Sequence, residues 1–97
     1  MSFKFERPAW MVDEPNTGDG EIVAEAGIHE KHGNKEYWKC FQRIRTDDGE
    51  YRVRTAVYDE RDGGTGFSHE GDFNLPAKYM GSLIEEARDE GIFKQGR

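Results

Sequence analysis

Two stretches, Tyr37-Trp38-Lys39-Cys40-Phe41-Gln42-Arg43-Ile44-Arg45 and Tyr51-Arg52-Val53-Arg54-Thr55-Ala56-Val57-Tyr58, flank Asp48-Gly49, and their pairing decides the fold. Asp-Gly is a strong two-residue hairpin signal, because both central residues reach positive φ. Folded around it, Arg45 faces Arg52, Arg43 faces Arg54, Phe41 faces Ala56 and Lys39 faces Tyr58. The other side collects Ile44 with Val53, Cys40 with Val57, and Gln42 with Thr55. A one-residue slip mixes the two sets. Like charges directly opposite cost roughly a few tenths of a kcal/mol or more. This register therefore calls for compensation, either from carboxylates of a neighbouring strand or from an external polyanion.

Outward from the hairpin, the strand signal weakens. Residues 1–20 read as a flexible N-terminal arm, with Phe3, Phe5, Trp10 and Met11 able to dock and Pro8, Pro15 and the 16–20 stretch breaking regular structure. Ile22, Ala24, Ala26 and Ile28 alternate as in a half-buried strand. If Ile28 shares the core side with Trp38, Glu25 and Glu21 fall near Phe41 and Arg45. Lys31-His32-Gly33-Asn34 is a turn. Residues 60–71 hold four glycines and read as a long mobile connection. A short strand, Asp72-Phe73-Asn74-Leu75, then leads into a helix with Pro76 at its first position. Tyr79, Met80, Leu83, Ile84 and Ala87 share one helical face. Gly91 is the stop signal, with Ile92 packing back on the last turn.

Bulk properties bound the function. At 97 residues the chain is one domain. Charged residues make up 35% against 34% hydrophobic, and the net charge is −6, so the core is thin and the surface ionised. Acids and bases segregate: residues 13–30 hold six acids and no Lys or Arg, whereas 35–54 hold six bases and four acids. A local basic strip on an acidic protein is coherent, because exposed charges act over about a Debye length, ~10 Å. The single cysteine, Cys40, excludes an internal disulfide and reads as a buried thiol. No apolar run approaches the ~20 residues a membrane helix needs, and no signal-peptide pattern precedes the domain. The expected location is cytoplasmic, with no membrane partner.

The strand order, the Asp-Gly hairpin, and the segments Tyr37-Trp38-Lys39, Tyr51-Arg52-Val53-Arg54 and Gly71-Asp72-Phe73-Asn74-Leu75-Pro76 resemble the single-stranded-DNA-binding fold of the positive-cofactor-four coactivators. The Pur-alpha family is the second resemblance. The likeness covers residues 21–93, leaving 94–97 as a tail. It implies an α+β domain, a four-stranded antiparallel curved sheet followed by one C-terminal helix, forming a homodimer that acts in transcription, replication or repair. The positions that would hold single-stranded DNA or RNA are Tyr37, Lys39, Phe41, Arg43, Arg45, Arg52, Arg54 and Tyr58. The chemistry is apt: rings stack on bases for roughly 1–3 kcal/mol each, while cations neutralise phosphates. The chain departs from the coactivators in its acidic balance, and in Glu70 where they often carry lysine.

Other readings compete. Glu21 and Glu25 could pair with Arg45 and Arg43, leaving an acidic interaction or inhibitory module for a basic partner protein. His29, His32, His69 and Cys40 lack zinc-ligand spacing. Gly63-Gly64-Thr65-Gly66 lacks the lysine and helix of a phosphate loop. Asp59-Glu60-Arg61-Asp62-Gly63 lacks the alternating ligands of a calcium loop. The expectation is no enzyme, no metal and no cofactor.

Overall fold

A computed structural model of the protein describes residues 2–11, 20–61, 64–67 and 73–95. Three long antiparallel strands form its centre: β2 (Glu21–His32), β3 (Lys35–Arg45) and β4 (Tyr51–Arg61). Short strands β1 (Ser2–Lys4) and β5 (Gly64–Phe67) extend the edges, giving a meander in the order β1-β2-β3-β4-β5. Helix α1 (Ala77–Asp89) follows. The α+β class and the C-terminal helix stand as read from the sequence; the four-stranded sheet does not. Phe73–Leu75 is irregular rather than a strand, and Asp72 lies outside the described residues. Part of the expected 60–71 connection is instead the end of β4 and β5, which pairs Phe67 with Tyr58 and Gly64 with Arg61.

The β3–β4 register is one residue away from the one the Asp-Gly signal suggests. Arg45 pairs with Tyr51, Arg43 with Val53, Gln42 with Arg54, Cys40 with Ala56 and Trp38 with Tyr58. The cause is the loop. Positive φ falls on Gly49 (86°) and not on Asp48, so a two-residue turn with both centres left-handed cannot form. Thr46 N–H donates to the Glu50 carbonyl at 2.8 Å and Gly49 N–H to the Thr46 carbonyl at 3.0 Å. The loop is therefore Asp47-Asp48-Gly49, a turn followed by a left-handed glycine. The Asp48 carboxylate accepts from the Thr46 hydroxyl and the Glu50 amide, which holds its pKa below the ordinary value. One more loop residue inverts the facing of β4 relative to β3.

A second shift occurs in β2. Ile22 pairs with Ile44 but Ala24 with Arg43, so Val23 is the extra residue of a β-bulge. Ile22 thereby leaves the face it would share with Ala24, Ala26 and Ile28. Ile28 pairs with Lys39 and His29 with Trp38, so Ile28 and Trp38 lie on opposite faces, against the expectation.

Both faces of the sheet are covered. On one, Ala26 and Ile28 pack with Leu83, Ala87 and Ile92, flanked by Phe41, Phe73, Leu75 and Tyr79. On the other, Trp38, Cys40, Ala56 and Tyr58 pack with Met11 and Trp10. The arm is thus not detached: Ser2–Lys4 pairs with β2 and Met11 is buried. Its structure over 12–19 lies outside the described residues. Gly27 permits this second core, because a Cβ there would sit 2.5 Å from the Trp38 ring and 2.8 Å from Cys40 Cβ. The helix ends as its sequence predicts. Gly91 adopts φ 80°, its N–H reaches the Arg88 carbonyl at 3.1 Å, and Ile92 N–H reaches Ala87 at 2.9 Å, a Schellman ending.

Candidate functional site

The eight residues expected to bind nucleic acid do not share a surface. Tyr37, Lys39, Phe41, Arg43 and Arg45 point to the helix side, and Arg52, Arg54 and Tyr58 to the arm side. Lys39 is buried, its ammonium 2.9 Å from Glu30 and donating to the Asn74 carbonyl at 2.9 Å. Tyr37 is half-buried beside it, its ring centroid 5.6 Å from that ammonium. Phe41 is clamped edge-on between Phe73 at 5.2 Å and Phe93 at 5.5 Å. Tyr58 is almost fully enclosed at 1% exposure. Only Arg45 and Arg52 are well exposed, and each faces a carboxylate at 3.4 Å, Glu21 and Glu50 respectively. The expected Glu21–Arg45 pair therefore forms; a Glu25–Arg43 pair does not.

Arg43 has a different task. Its Nη1 donates to the carbonyls of Gly91, Ile92 and Lys94, and its guanidinium lies 4.2 Å from the Tyr51 ring centroid. These carbonyls belong to the chain leaving α1, where backbone acceptors lack helical partners. Arg43 fastens that segment to the sheet.

On the arm side, Glu25, Gln42, Arg54 and Tyr58 form a connected polar network. Gln42 Nε2 donates to Glu25 at 2.8 Å and to the Tyr58 hydroxyl at 3.0 Å. Arg54 donates from Nε to Gln42 Oε1 at 2.8 Å and from Nη2 to Tyr58 at 3.1 Å. Arg7 of the arm closes on Glu25 at 3.2 Å. The Cys40 thiol points at the same carboxylate, 3.8 Å away. Burial first, and the Glu25 charge next, push this thiol's pKa well up. A nucleophilic cysteine requires the opposite environment. Burial likewise raises Tyr58. Beside this network His29 Nε2 donates to Glu36 at 2.8 Å, holding that carboxyl below its ordinary value, and Trp10 meets His29 edge-on at 6.3 Å.

Among the described residues no group of three His, Cys, Asp or Glu side chains is placed to hold a metal. His69 and the Asp62-Gly63 pair lie outside them. Nor is any helix of the described residues long and apolar enough to cross a membrane.

A cleft of about 990 Å³ lies between the bulge at Val23–Ala24, Tyr51 and the segment leaving α1. Val23, Tyr51 and Phe93 stand 41%, 37% and 44% exposed along it, and Arg43 contributes to its lining. The sequence offered no direct sign of this site. Its ingredients, a bulge and a post-helical aromatic, belong to no periodic pattern.

No protein-family model, curated protein or solved structure matches this chain.

Proposed function

We propose that the protein is a non-enzymatic interaction module that offers an acidic surface to a basic partner protein. The observation that carries this reading is that the cations of β3 and β4 expected to meet a phosphate backbone are engaged by the chain's own groups. Lys39 and Arg43 are buried, Arg54 is bound into the Gln42–Tyr58 network, and Arg7, Arg45 and Arg52 each face a carboxylate. Beyond those pairs, Asp47 and Asp48 at the hairpin and Glu85, Asp89 and Glu90 at the end of the helix are exposed, the last group beside exposed Arg88 and Lys94. The chain as a whole carries a net charge of −6, which disfavours a phosphate backbone and favours a basic partner. The single-stranded nucleic-acid reading loses the joint basic and aromatic face it rests on, so it becomes the competing arm of the test.

That test is a pair of anisotropy titrations at low and high salt, one with a labelled Lys/Arg-rich peptide and one with a labelled single-stranded oligonucleotide. The expected outcome is salt-sensitive peptide binding, weakened by Glu90→Lys and not by Glu60→Lys at the opposite end of the sheet. Oligonucleotide binding without peptide binding would reverse the assignment. Equal sensitivity to both reversals would reduce it to bulk charge.

A further inference from the structure

We infer that the cleft at the C-terminal end of α1 binds a monocarboxylate carried on an apolar body, with Arg43 receiving the charge. This rests on Arg43 and the apolar side chains of the cleft; Asp89 and Glu90 are common to its rim and to the surface proposed for the partner, so its test uses neither of them.

Arg43 and Lys39 are the two buried cations among the described residues. Lys39 has its counter-ion, Glu30, at 2.9 Å. Arg43 has none: no described carboxylate lies within ion-pair distance, and its partners are three backbone carbonyls and the Tyr51 ring. This cation, 8% exposed, is held by three carbonyls and a ring but by no counter-ion among the described residues, so an arriving anion supplies the opposite charge it lacks. All three carbonyl bonds leave from Nη1. Nε–H and the Nη2 hydrogens, on a side chain that lines the cleft, keep the fork that matches a carboxylate through two parallel hydrogen bonds.

The walls specify the rest of the ligand. Val23, brought out by the bulge, faces a cleft shared with Tyr51 and Phe93, three side chains left 37–44% exposed. Arg88 and Lys94 add positive charge at the rim. Asp89 and Glu90 stand at the same rim and balance those two charges, so Arg43 supplies the net attraction and each negative charge beyond the first gains little. The cleft, about 990 Å³, accommodates an aromatic or branched aliphatic acid. The carboxylate could belong to a free organic acid or to the C-terminus of a polypeptide, and the ligand chemistry is common to both.

The test follows backbone amide shifts by NMR while 3-phenylpropionate, and separately 3-phenylpropionamide, is added to the full chain. The acid is expected to move Ala24, Tyr51, Gly91 and Lys94 and to bind roughly tenfold tighter than the amide. Equal binding of the two, shifts elsewhere, or no shifts at roughly 10 mM acid would overturn the inference. An acetylated tripeptide ending in phenylalanine with a free carboxylate separates the sources: tighter binding than the simple acid assigns a polypeptide end, equal or weaker binding a free acid. Arg43→Met should remove the preference for acid over amide. If that variant does not fold, Phe93→Ala at its exposed site carries the test and should weaken both ligands several-fold; unchanged binding counts against the site.

Discussion

Single positions in this protein hold whole surfaces in place. Gly27 is one: the Trp38 ring lies where its Cβ would be. Gly27→Ala should destabilise by about 1–3 kcal/mol through overpacking, read by chemical denaturation with a change in Trp fluorescence. Arg43 is another. Arg43→Met leaves the Gly91, Ile92 and Lys94 carbonyls without their charged donor, and the expected loss is about 2–3 kcal/mol. Cys40 gives a pH signature. Its thiol is held protonated in the folded state, so its contribution to stability is complete below the unfolded value near 9.0 and lost as pH rises beyond it. Tyr58, raised from 10.0, acts in the same direction slightly later. Urea unfolding from about pH 8 to about pH 11 should show falling stability, with a shallower fall in Cys40→Ala.

At the scale of elements, the hairpin loop is the decisive feature. The two strands and the helix with its glycine stop were legible in the sequence, because alternation, helical periodicity and Gly91-Ile92 are local signals; the end of β4, which runs on to Arg61, was not. The facing of β4 was not. Asp47-Asp48-Gly49-Glu50 suits either a two-residue or a three-residue loop, and the choice depends on whether both Asp48 and Gly49 take positive φ or Gly49 alone does. The charge pattern misled in the same direction. Arginines at 43, 45, 52 and 54 look like one strip, yet Arg43 serves the end of α1 and Arg54 a network centred on Gln42. Both partners are distant in sequence, and no local rule reaches them. The Val23 bulge escaped notice for a similar reason, since Ile22 to Ile28 reads as unbroken alternation. Gly49→Ala, at φ 86°, should cost roughly 1 kcal/mol, whereas Gly33→Ala in the other hairpin tests the same requirement at φ 66°. Thermal melts of the two variants check it.

For the molecule as a whole, the consequence is a sheet clothed on both sides. The helix covers one face and the N-terminal arm part of the other, so side chains expected to greet a ligand became core and scaffold. What remains outside is a surface of mixed charge, with a cleft of mixed lining whose buried guanidinium has no carboxylate within ion-pair distance among the described residues. All of this descends from the β3–β4 pairing, and NMR contacts across those two strands test it most directly. The expected contacts join Gln42 with Arg54, Arg43 with Val53, and the ring of Trp38 with that of Tyr58. Contacts joining Arg43 with Arg54 and Arg45 with Arg52 would contradict the fold described and restore a single cationic face.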